Sequence, residues 1–180
     1  MVTVMVTGSR DWGDEEKVHA ELDRISSEAG FGKVRVLQGE CPTGADLHAR
    51  NWCELEAREN VPYPPDPGRG RQGFLDRNLA MVAAGPDVVL AFLDPSSRGT
   101  WHAVTAAISA GIEVRCFGSE VVSDYLETRA RQAASKLISG QGWRSGRRKA
   151  LAVQLAAVRA GDVLAPGLAE AIEETLEVRS

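Results

Sequence analysis

Hydrophobic and polar positions in the first 118 residues follow two alternating patterns. Short Val-rich runs are separated by longer stretches in which apolar side chains recur every three or four residues. Residues 2–7 read as a buried strand that ends at Gly8, and Val18, Leu22 and Ile25 mark a helix over residues 15–29. Residues 34–37 form a second strand that stops at Gly39, followed by a helix over residues 45–60 with Leu47, Trp52 and Leu55 as its core contacts. Residues 61–63 predict a weak third strand, and Pro62, Pro64 and Pro65 deny it amide donors, which assigns it to a sheet edge. After a Gly, Pro and Arg loop over residues 66–73 come a short helix over residues 76–84 and the most apolar strand of the chain, residues 87–93. A helix over residues 100–110 and a last strand over residues 113–117 complete the series.

Strand and helix thus alternate five times, which predicts an α/β, Rossmann-like, doubly wound parallel sheet of about five strands with right-handed crossovers. Continuous apolar strands such as residues 88–93 fit a sheet covered on both faces. Beyond Gly118 only helical spacing remains, with helices expected over residues 120–138, 150–159 and 168–176. The expected organisation is therefore one domain over residues 1–118 and a helical extension over residues 119–180.

Composition narrows the classes. With 43% hydrophobic and 26% charged residues the chain is globular, which excludes disorder, a fibre or a small disulfide scaffold. Twenty-one basic against 25 acidic side chains give a net charge of -4, too acidic to hold a polyanion by bulk charge. The split is uneven: residues 1–118 carry 12 basic and 17 acidic groups, and the remainder 9 and 8. Cys41, Cys53 and Cys116 have neither CxxC spacing nor an even count, so free thiols and no metal site are expected. No apolar run reaches the roughly 20 residues of a membrane span, and the first residues lack a basic start, so a cytoplasmic protein without membrane contact is expected.

Ligands of open parallel sheets bind beyond the carboxyl ends of the strands, where the strand order reverses. In a 3-2-1-4-5 order that point brings together the loop after the first strand, with Gly8, Ser9, Arg10 and Trp12, and the loop after the fourth, with Asp94, Ser96, Ser97, Arg98, Gly99 and Thr100. The loop after the second strand, with Gly39, Gly44 and Asp46, lies on the same rim. All three lead into helix N-termini, whose unpaired amides favour an anion. The alternative is that Gly and Ser merely turn the chain and that Thr43 and Asp46 form a capping box. Arg10, Arg77 and Arg98 read as clamps on phosphate oxygens or as solvated arginines. Trp12 and Trp101 read as base-stacking or helix-packing rings. Neither GxGxxG nor GxxxxGK[ST] is present.

Four short motifs in order, Gly8-Ser9-Arg10-Asp11-Trp12, Gly39 through Gly44-Ala45-Asp46, Arg77-Asn78 and Arg98-Gly99-Thr100, resemble the SLOG superfamily and most of all its YspA/YpsA-like branch. The resemblance covers residues 1–118. It implies a Rossmann-like domain that binds a nucleotide or nucleotide-derived small molecule, with Gly8, Ser9, Arg10, Trp12, Gly39, Gly44, Asp46, Arg77, Asn78, Asp94, Ser96, Ser97, Arg98, Gly99 and Thr100 as the site. The superfamily includes the LOG phosphoribohydrolases, the DNA-processing protein DprA and sensor domains of antiviral systems. In LOG enzymes a PGGxGTxxE motif supplies a catalytic Glu. Here the double Gly is absent and Ala103 stands at the place of that Glu, so hydrolysis of an N-glycosidic bond lacks its carboxylate. Asp94 is the preferred stand-in if chemistry occurs.

These readings favour a ligand-sensing or sequestering module that needs no cofactor, with a phosphoribohydrolase-like hydrolase as one alternative. A DprA-like nucleic-acid or protein-interaction module is the other, using the basic link with Arg144, Arg147, Arg148 and Lys149. The apolar stripe Leu151, Leu155 and Val158 needs a cover, and a homo-oligomer is the expected one.

Overall fold

A computed structural model describes residues 1–30, 33–94 and 97–118. The extension after Gly118, with its helices, basic link and apolar stripe, lies outside the described residues, as does Ser96. Five strands, β1 (Val2–Gly8), β2 (Val34–Gln38), β3 (Glu59–Pro62), β4 (Val88–Phe92) and β5 (Glu113–Phe117), form one all-parallel sheet in the order β3-β2-β1-β4-β5. Four helices connect them: α1 (Glu15–Ala29), α2 (Gly44–Leu55), α3 (Gly70–Ala83) and α4 (Arg98–Ser109). This is the doubly wound arrangement that the alternation predicts.

Period-two alternation divides the core. Val4, Val6, Val88, Leu90 and Phe92 point to one face, where Val18, Leu22 and Ile25 of α1 and Ala45, Ala49, Trp52 and Cys53 of α2 cover them. Met5, Val89, Ala91 and Leu93 point to the other, under Met81 and Val82 of α3 and Ala103, Val104 and Ala107 of α4. Burial on both sides is why these strands carry almost no polar side chain.

Several boundaries differ from the sequence expectation. Helix α2 ends at Leu55, which is 73% exposed; its buried face is set by Ala45, Ala49, Trp52 and Cys53, and Leu55 falls off that stripe. The chain then turns through Ala57 at φ 50°, so β3 starts at Glu59 and ends on Pro62, opposite Gln38. It is an edge strand, as the prolines require. Helix α3 begins at Gly70, inside the expected loop. The Asp66 carboxylate accepts from Gly68 N at 2.8 Å and starts a 3-10 turn at Pro67–Arg69 that runs into the helix. Buried Gly73 then packs so close to Asp66 that a Cβ would stand 2.4 Å from the Asp66 carbonyl oxygen. Helix α4 opens at Arg98, two residues early.

Candidate functional site

The strand order reverses between β1 and β4, so the loops that follow them leave the sheet toward opposite faces and a cleft opens above their ends. A cavity of about 660 Å³ occupies this cleft. The end of β1 and the loop after it contribute Thr7 to Asp11, the loop after β2 contributes Gly39 to Thr43, and Ser97 to Thr100 come from the start of α4 and the residue before it. Of the residues the sequence nominates, Gly8, Ser9, Arg10, Gly39, Asp46, Arg77, Asn78, Ser97, Arg98, Gly99 and Thr100 line it together.

Trp12, Gly44 and Asp94 do not line the cavity. The Trp12 indole lies against Phe92 with ring centroids 5.3 Å apart and donates from Nε1 to the Asp14 carbonyl at 2.9 Å, so it closes the core cluster under α1. Gly44 sits at φ +69°, and a Cβ there would come within 2.1 Å of the Ser9 carbonyl; its glycine serves the contact between two loops. The amide of Ala45 donates to that same carbonyl at 3.3 Å. The amide of Asp94 donates to Ser97 Oγ at 2.9 Å, which forms the turn that leads into α4.

Helix termini differ in what they offer. The start of α1 is already occupied: Asp14 accepts from Lys17 N at 2.9 Å, and Glu15 and Glu16 fill the first turn, a set of negative groups that repels an anion. Thr43 stands at the N-cap of α2, yet its side chain makes no cap hydrogen bond, which removes the capping-box reading. Asp46 instead turns back, accepting from Cys41 N at 3.3 Å and facing Arg77 at 3.7 Å. The start of α4 opens onto the cavity with Gly99 exposed.

Arg77 and Asp46 form the buried centre of the site. Arg77 Nη1 donates to the Gly39 carbonyl, and its guanidinium occupies the space where a Cβ of residue 39 would be. Burial pushes the Asp46 carboxyl above its ordinary range, against the pull of Arg77, of the Cys41 and Gly39 amides and of Arg10. Burial likewise lowers Arg77, with Asp46 acting in the opposite sense. Next to it Asn78, 2% exposed, donates from Nδ2 to the Gly99 carbonyl at 3.0 Å and so ties α3 to the start of α4.

Several lining residues were not legible as site residues. Glu40 holds φ 56°, rare for a residue with a side chain, while its amide donates to Gln38 Oε1. Phe74 and Met81 join Arg77 and Asn78 because positions 74, 77, 78 and 81 share one face of α3. Starting that helix at residue 76 hides the pattern. His102 and Trp101 do not line the cavity, and Ala103 is fully buried in the α4 core cluster. Among the described residues no group of three His, Cys, Asp or Glu side chains is arranged to hold a metal ion. In the same region no helix is long and apolar enough to cross a membrane.

The fold and site together define a Rossmann-like protein with an arginine-bearing, glycine-walled cavity at the switch point of its sheet. The chain belongs to the YspA, cpYpsA-related SLOG family, whose pattern matches residues 2–70. It is similar to the "Gene 61 protein" of Mycobacterium phage D29, with 36% identity over 126 aligned positions, the match covering 67% of this chain and 99% of that protein. No solved structure matches the chain. Family membership puts it among nucleotide-related binding modules.

Proposed function

We propose that the cavity binds a nucleotide or nucleotide-derived small molecule and that the protein acts as a sensor or sequestering module. The observation that carries this reading is the convergence of three strand-end loops, the open start of α4 and the guanidinium groups of Arg10, Arg77 and Arg98 on one cavity. Its volume of about 660 Å³ falls in the ordinary range for small-molecule sites. In this reading the phosphate lies at the α4 start between Arg10 and Arg98, where amides and cations supply charge-assisted hydrogen bonds. The apolar lining of Pro65 and Met81 takes the less polar part of the ligand. Binding without turnover is favoured because buried Ala103 offers no carboxylate at the place of the LOG-type Glu.

Extraction of small molecules from the purified protein, followed by mass spectrometry, tests the reading directly. A co-purifying nucleotide is the expected result, and release of free base and ribose phosphate on incubation would replace binding by hydrolysis. Gly99→Leu is the matching variant. Residue 99 lines the cavity and a Cβ there meets no atom within 4 Å, so the fold tolerates a side chain at this position. Nucleotide affinity measured by calorimetry is expected to vanish, with the melting temperature within about 3 °C of wild type. Unchanged affinity excludes this cavity.

A further inference from the structure

The Arg10 side chain starts on the loop after β1 and Phe74 starts on α3, on another side of the cavity lining. Their side chains nevertheless meet, with the Arg10 Cζ 4.9 Å from the centroid of the Phe74 ring, inside the range of a cation–π contact. Arg77, one turn along the same helix, stands 6.0 Å from that ring. Phe74 is 36% exposed and belongs to neither core cluster, so the packing of the domain does not account for an aromatic side chain there.

We propose that Phe74 is a positioning residue, a ring on which the Arg10 guanidinium docks so that it stands over the cavity ready for the phosphate of a bound nucleotide. The proposal rests on the nucleotide reading above and adds how one of its exposed cations is aimed. A free arginine on a loop spreads over many rotamers, and ordering it on binding costs affinity. Stacking on a fixed helix removes much of that cost in advance. The docked position also fits the local charge, since Arg10 stabilises ionised Asp46 and disfavours the charge on Arg77. Two guanidinium groups sharing one ring and one carboxylate leave a local excess of positive charge that a phosphate dianion offsets.

The test uses the full chain, the four ribonucleoside 5′-monophosphates and the four matching nucleosides. In the ligand-free protein the Arg10 side-chain NMR signals are expected to show an upfield ring-current shift that disappears in Phe74→Leu and persists in Phe74→Tyr. By calorimetry, Phe74→Leu is expected to weaken the best mononucleotide about five- to tenfold, as loss of a cation–π contact implies, and to leave its nucleoside unchanged. Phe74→Tyr restores the affinity, and in an Arg10→Gln background Phe74→Leu has no further effect. Equal weakening of nucleotide and nucleoside assigns the ring to base stacking and overturns the positioning role, as does an undiminished effect in the Arg10→Gln background. Absence of the ring-current shift overturns it without any ligand. If wild type binds no mononucleotide and no nucleotide-derived molecule co-purifies with it, the nucleotide reading falls by itself, and the docking of Arg10 on Phe74 is decided by the NMR signals alone.

Discussion

Glycine at three positions in the loops around this cavity has three different physical meanings. At Gly99 a side chain has open space, at Gly44 the backbone needs φ +69°, and at Gly39 the space belongs to Arg77. The sequence marks all three as loop glycines and does not distinguish them, because the atoms that decide lie on other elements. Gly39→Ala is expected to push Arg77 off the Gly39 carbonyl and to lower stability by about 1–3 kcal/mol in urea unfolding, the usual penalty for overpacking. Asp46 gives a pH-dependent companion. Its carboxyl sits higher in the folded protein than in the unfolded chain, so the folded state holds the proton more tightly. That contribution favours folding below the ordinary carboxylate range and is lost as pH rises through the raised value. Asp46→Asn removes the dependence, while Arg77 stays charged throughout. The stability of the Asn variant relative to wild type is therefore expected to rise between about pH 4 and about pH 7. Denaturant curves at both pH values check this, and a difference that falls with pH would show that the ion pair outweighs burial.

Elements were legible in proportion to the regularity of their apolar spacing. Helix α1 follows the sequence expectation residue for residue, because Val18, Leu22 and Ile25 give one stripe and Asp14 provides a stop for the preceding loop. Only the second half of helix α3 is legible in the sequence. Gly70 and Gly73 read as loop, yet Gly73 is the point of close packing on Asp66, and the helix contributes Phe74, Arg77, Asn78 and Met81 to the cavity from one face. Strand stability should follow position in the sheet. Val4, Met5 and Val6 of β1 and Val89, Leu90 and Ala91 of β4 have no exposed surface, whereas β3 is an edge strand with exposed and half-buried residues only. Hydrogen exchange followed by mass spectrometry is expected to protect β1 and β4 longest and to release β3 first. Equal protection of all five strands would contradict this order.

At the scale of the molecule the sheet order and the rim of the cavity were both foreseeable, since alternation fixes a parallel sheet and a switch point fixes where its loops meet. Which side chains face inward was not, because Trp12 and Arg10 are two residues apart and only contacts with Phe92 and Phe74 separate their directions. We propose that residues 1–118 form one folded unit, which carries the cavity, and that the residues after Gly118 are a separate extension. A chain ending at Gly118 is expected to keep the wild-type circular dichroism signature of an α/β protein and its nucleotide affinity within about twofold. Loss of either would make the extension part of the folded unit.

The contact between Arg77 and the Gly39 carbonyl spans 38 residues and joins two successive strand–helix units. It constrains how such proteins can be recombined. A graft that brings in a β2 loop with any side chain at position 39, but keeps the resident α3, forces that side chain into the arginine. Exchange of α3 alone for a helix without arginine leaves an empty slot beside Asp46. The two segments must therefore be inherited or transplanted as a pair, and covariation between these positions across relatives is the signature to seek.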